Sequence, residues 1–130
     1  MTRIKRSRGQ GAGRGFNLNL PLAKGTEYVT WAQALQKALD AIGRFGTSAL
    51  VVALGVDNFD GDPISGFRLQ SADYLSVGAG IARAGLPTVF VMEGGYAVAE
   101  IGLNVVNVLE GFADAGPGRA EALRPMQSRA

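Results

Sequence analysis

The stretch Leu50-Val-Val-Ala-Leu-Gly-Val-Asp57-Asn-Phe-Asp-Gly-Asp-Pro63 decides the fold. A short, continuous apolar run with two valines is too short for an ordinary helix and suits a strand covered on both faces, as in parallel sheets. It delivers a lone carboxylate, Asp57, into a turn-rich loop that carries Asp60 and Asp62. About forty residues on, Thr88-Val-Phe-Val-Met-Glu-Gly-Gly-Tyr96 repeats the plan and presents a tyrosine beyond two glycines.

Working outward, the spacing predicts a helix from residue 26 or 30 to about residue 45. Trp31, Leu35, Ala38, Leu39 and Ile42 recur at i, i+4, i+7, i+8 and i+11 along one face. Thr30 with Gln33 makes a capping box, and Gly43 or Gly46 the stop. Ser71 can cap a second helix with Asp73 in its first turn and Leu75, Ile81 and Ala82 inside, although Gly78 and Gly80 weaken that helix. Val98, Ile101, Val105, Val108, Leu109 and Phe112 give a third, ending near Gly116. Ahead of all these, Phe16-Asn-Leu-Asn-Leu-Pro-Leu22 alternates at period two and reads as an edge strand closed by Pro21.

The order β-α-β-α-β-α predicts an α/β fold with a parallel sheet, right-handed crossovers and helices covering the sheet. In open α/β sheets, ligands sit beyond the carboxyl ends of the strands. The loops at 55–67 and 93–96 lie at that edge, so topology is expected to bring Asp57 and Tyr96 together.

With 130 residues, 47% apolar and 18% charged, the composition is that of one globular domain. No run approaches the eighteen apolar residues of a membrane span. Cysteine is absent, which excludes disulfides and thiolate metal sites; with no apolar signal core at the N-terminus, a cytoplasmic setting is expected. The net charge of +2 is uneven. Residues 1–14 hold Arg3, Lys5, Arg6, Arg8 and Arg14 and no acid, leaving eight basic against eleven acidic side chains, a net of −3, in the rest. Residues 1–14 read as a flexible Gly/Arg-rich leader, 15–115 as the folded unit and 116–130 as a flexible tail. The leader lacks an aromatic for stacking, which argues against nucleic acid.

Asp57 follows its strand so closely that its oxygens can be held rigidly toward a cleft, as a hard or borderline divalent cation requires. One carboxylate does not make a zinc site. Asp60 and Asp62 lack the spacing of a calcium loop and read better as turn residues accepting local backbone amides. Tyr96 is either an oxyanion donor or a half-buried aromatic at a helix start. Gly94 and Gly95 have no Lys-Ser/Thr neighbour to support a phosphate cradle, and Gly11-x-Gly13-x-Gly15 precedes a strand instead of following one, the wrong side for a dinucleotide fingerprint.

Three blocks in order, Phe16–Leu22, Gly55-Val-Asp57-x-Phe-x-Gly-Asp-Pro63-Ile and Glu93-Gly-Gly-Tyr96 followed by Asn104-Val-Val, resemble the C-terminal portion of the histone deacetylase superfamily, and within it the bacterial acetylpolyamine amidohydrolases. The resemblance implies a zinc-dependent amide hydrolase acting on N-acetylated amines, with a partial arginase/deacetylase-like three-layer α/β/α fold. It implies that Asp57 is one of three zinc ligands and that Tyr96 polarises the acetyl carbonyl. Ile64 would be an apolar wall of the substrate tunnel, and Gly94 would line the same channel. The chain departs from the family by containing no histidine, so two zinc ligands and the paired imidazoles are missing. It is expected to be a truncated C-terminal half, inactive alone, or a non-catalytic module that pairs with an N-terminal partner chain or with itself. Asp60, Asp62 and Glu93 at one edge would favour a cationic, polyamine-like ligand.

Overall fold

In the computed structural model of the protein, residues 8–116 are described. The parts of the leader and tail expectations that fall on residues 1–7 and 117–130 lie outside them. After a short 3-10 turn at Gly11–Gly13, the order is β1 (Thr26–Glu27), α1 (Tyr28–Phe45), β2 (Leu50–Leu54), β3 (Phe67–Arg68), α2 (Asp73–Ala82), β4 (Thr88–Met92) and α3 (Ile101–Ala115). β2 and β4 pair in parallel, with Val52 opposite Phe90 and Leu54 opposite Met92. The two-residue strands β1 and β3 form a separate parallel pair.

The strand expected over residues 16–22 does not form. Alternation gives a segment two faces, but a strand also needs a neighbour to complete its hydrogen bonds, and among the described residues none lies alongside. The segment runs beside α1 instead, where the Phe16 ring meets Phe45 edge-on with centroids 5.6 Å apart.

Helix α1 starts two residues before Thr30, at Tyr28, with Glu27 at the cap and no side-chain cap bond, so the Thr30–Gln33 box is not used. Its predicted stop is used: Gly46 takes the left-handed conformation at φ 73° and donates its N–H to the Gly43 carbonyl at 3.3 Å. Helix α2 likewise has no side-chain cap from Ser71; Ala72 is the cap. Asp73 does stand in the first turn, where it accepts the Gln70 N–H at 2.7 Å.

The core lies where α2 and α3 pack on one face of the β2–β4 pair. Leu54, Val56, Leu69, Tyr74 and Val108 are buried together, with Val52, Phe90, Ile101 and Val105 packed against them. Phe90 meets Phe112 edge-on at 5.2 Å, a geometry that adds to area burial. The expectation of double coverage fails: Val51, Val89 and Val91, on the opposite face, are 70%, 59% and 44% exposed. Among the described residues, two of the three expected layers are present.

Gly78 and Gly80, which as helix-weakening residues argued against α2, are buried. A Cβ on Gly78 would lie 2.8 Å from the Phe112 nitrogen and closer still to the Val108 carbonyl oxygen. Gly111 of α3 meets the Leu75 backbone in the same way. The two helices therefore cross backbone to backbone. That crossing turns the Leu75 side chain outward, 39% exposed, against the expectation that it is internal. Val98 precedes α3 and is 86% exposed, so it is not part of the buried stripe either.

Candidate active-site rim

The parallel ladder runs on past the formal strand ends. Glu93 donates to the Leu54 carbonyl at 2.9 Å and Val56 to the Gly94 carbonyl at 2.8 Å, which lays the 55–65 loop against the 93–97 loop. Asp57 projects at that seam. A Cβ on Gly94 would fall 2.8 Å from its carboxyl carbon, and one on Gly55 would fall 3.0 Å from its Oδ1. The carboxylate thus occupies space that only glycine leaves open.

Tyr74, 1% exposed, fixes the chain on both sides of Asp57. Its hydroxyl donates to Asn58 Oδ1 at 2.6 Å and lies 3.2 Å from the Val56 carbonyl oxygen. Burial pushes the Tyr74 phenol well above the usual tyrosine range, and the charges of Asp57, Asp62 and Asp73 push it the same way.

Asp62 joins the two loops. Its Oδ1 accepts the Ile64 N–H at 3.0 Å, and its Oδ2 accepts the N–H groups of Tyr96 at 2.6 Å and Ala97 at 3.1 Å. Burial alone would raise its pKa, but these three amides outweigh burial and hold the carboxyl below its ordinary value. The reading of Asp62 as an acceptor of backbone amides holds, with a reach of 34 residues added to the local one. Asp60 is instead exposed, and its Oδ2 lies 3.5 Å from the Gln70 side-chain nitrogen.

Asp57, Ile64, Gly94 and Tyr96 therefore sit on two adjoining loops. Gly94 lies against Asp57 so closely that a Cβ on it would meet the carboxylate, while Tyr96 is 53% and Ile64 63% exposed. Sequence reasoning missed Tyr74 and Asn58, whose pairing spans 16 residues and has no local signature. It also missed Asn107 of α3, whose side chain donates at 2.8 Å to the carbonyl of Ser71, in the turn that leads into α2.

A cation suits Asp57: its carboxylate is half-buried, is cradled by glycine, and has no hydrogen-bond donor among the described residues. The described residues include no group of three or more His, Cys, Asp or Glu that could hold a metal ion, so Asp57 fits as one ligand of a set.

A parallel α/β unit with a carboxylate and a tyrosine on adjoining loops beyond β2 and β4 defines a recognisable class. Residues 2–112 match the histone deacetylase domain, and the chain belongs to that family. It is 58% identical over 105 residues to acetylpolyamine amidohydrolase 2 of Pseudomonas aeruginosa, covering 81% of this chain and 30% of that protein. It is 54% identical to the acetylpolyamine amidohydrolase of Mycoplana ramosa, with 81% and 31% covered. The crystal structure of acetylpolyamine aminohydrolase from Burkholderia pseudomallei superposes with a TM-score of 0.82 at 32% identity, covering 87% of this chain and 34% of that one. The chain thus spans about a third of the length of these relatives, and the similarity supports the expected partial α/β/α fold.

Proposed function

We propose that this chain contributes Asp57 as a metal ligand and Tyr96 as the carbonyl-polarising phenol of a zinc-dependent site that hydrolyses N-acetylated polyamines or related acetyl amines. The observation that carries the reading is the Asp57 carboxylate, seated on glycine without a donor among the described residues, on a loop laced to the one that bears Tyr96. The relatives' names supply the substrate class, acetylpolyamines.

Bound zinc would supply Lewis-acid polarisation of the amide and of the attacking water. Asp57 would hold it from one side. The Tyr96 hydroxyl would donate to the acetyl oxygen as that atom gains negative charge, and so would stabilise the tetrahedral state. Ile64 and Gly94 would border the channel for the acyl amine. Asp60, Asp62 and Glu93 add negative charge in keeping with a cationic amine.

These residues include no histidine, so in this reading the remaining ligands and the general base come from a histidine-bearing N-terminal portion of the domain; the bare face of β2 and β4 offers such a portion, on a partner chain, an apolar surface, as it does a second copy in a homo-oligomer. In this reading residues 15–115 are the folded unit, 1–14 a leader and 116–130 a tail. No described helix is long and apolar enough to cross a membrane, and we assign the cysteine-free chain to the cytoplasm.

The test is an amide-hydrolysis assay on an acetylated polyamine with zinc. The purified chain alone is expected to show no turnover. Mixed with a polypeptide carrying the histidine-bearing portion of the domain, it is expected to gain turnover that Asp57→Ala and Tyr96→Phe each abolish. Turnover by the chain alone, or complemented turnover indifferent to both substitutions, refutes the proposal.

A further inference from the structure

The half-exposed Tyr96 ring is not fixed by its own packing. Two glycines lead into it, with Gly95 at φ 155°, a conformation that side-chain-bearing residues rarely adopt, and neither has a side chain to pin the segment. The last ladder bond behind them is at the Gly94 carbonyl, and α3 begins only at Ile101. Between those anchors, the Tyr96 and Ala97 N–H groups both point at a single acceptor, Oδ2 of Asp62.

Asp62 is 6% exposed, and its other oxygen is engaged by the Ile64 N–H. Hydrogen bonds from backbone amides to an ionised carboxylate are shorter and stronger than neutral ones. We propose that Asp62 is a positioning residue for Tyr96: its buried carboxylate spans the two loops and sets where the phenol stands relative to Asp57. This rests on the reading of Tyr96 as the carbonyl-polarising group and names the residue that aims it. The requirement is for charge with two acceptor faces. An asparagine of nearly the same shape can offer its oxygen to Ile64 or to the Tyr96–Ala97 pair, and turns an NH2 donor toward the other donors.

The experiment is amide hydrogen exchange on the 15N-labelled full chain and its Asp62→Asn variant. Exchange at Tyr96 and Ala97 is expected to rise at least tenfold in the variant, with broadened Tyr96 ring resonances. Exchange at Val52 and Phe90, in the β2–β4 core, is expected to stay within twofold. Unchanged protection at Tyr96 and Ala97 overturns the proposal, and so does an equal loss at all four sites, which would make Asp62 a support of the whole fold.

If the variant does not fold, an acid titration of the native chain decides. The Tyr96 and Ala97 amide protons are expected to share one midpoint with the Asp62 carboxyl carbon, whose Oδ2 accepts both. Separate midpoints overturn it. Tyr96→Phe keeps the backbone amides, so protection that survives in that variant separates this proposal from the catalytic reading, which complemented turnover tests.

Discussion

Replacing Gly78 by alanine sets two effects of opposite sign against each other. On propensity alone, alanine in a helix interior is worth roughly 1 kcal/mol over glycine. At this site the new Cβ would stand 2.8 Å from the Phe112 nitrogen and nearer still to the Val108 carbonyl, where ordinary contact begins at 3.4 Å. Both obstacles are backbone of a packed helix, so no rotamer change relieves them, and α2 and α3 have to separate. Overpacking of a filled core costs about 1–3 kcal/mol, occasionally more. Two backbone clashes with no flexible atom to yield place Gly78→Ala at or above the top of that range, for a net loss of about 2 kcal/mol.

Gly102→Ala is the control. Gly102 is also helical and exposed, and a Cβ there meets nothing within 4 Å, so the variant is expected to gain up to about 1 kcal/mol. Urea unfolding followed by circular dichroism reads both, provided that the slope with denaturant is unchanged. A Gly78→Ala midpoint at or above the native one, or both variants shifting in the same direction, refutes the backbone-to-backbone crossing.

Gly94→Ala should displace the Asp57 carboxylate, since the new methyl would lie 2.8 Å from its carboxyl carbon; carboxyl-carbon NMR should show the Asp57 resonance moving while Asp73 stays in place. Tyr74→Phe leaves Asn58 Oδ1 without its buried donor and should cost about 1–3 kcal/mol in denaturant unfolding; an unchanged midpoint would mean that the clamp is idle. Stability should fall at both pH extremes. The depressed carboxyl of Asp62 contributes stability that is fully present above the ordinary aspartate value of about 3.9 and is lost as pH drops through its lower folded value. The raised phenol of Tyr74 contributes stability that is complete below about pH 10 and is lost as pH climbs toward its higher folded value, so the Tyr74→Phe variant should lack that alkaline loss.

Much of the architecture was legible because its cause is local. Apolar runs of strand length at 50–54 and 88–92, and the stripe from Trp31 to Ile42, depend on neighbours along the chain. The misreadings share a cause too. Period-two alternation in residues 16–22 describes faces without providing a partner strand, and apolar strands imply covering layers without saying whether those layers lie within the chain. Thr30 and Ser71 looked like caps, but helix starts were fixed by the chain entering from β1 and by Asp73 reaching back to Gln70.

By itself, then, the sequence determined the alternation of strands and helices, the position of Asp57 and Tyr96 just beyond two strands, and the absence of any imidazole, since each is a matter of residue type and spacing. The tertiary structure decided which glycines are contacts, that Tyr74 grips the chain around Asp57, and that Asp62 holds the amides of Tyr96 and Ala97 across 34 and 35 residues. Such partnerships arise only when folding brings distant backbone together, and a donor without local periodicity leaves no mark in the sequence until its acceptor is in place.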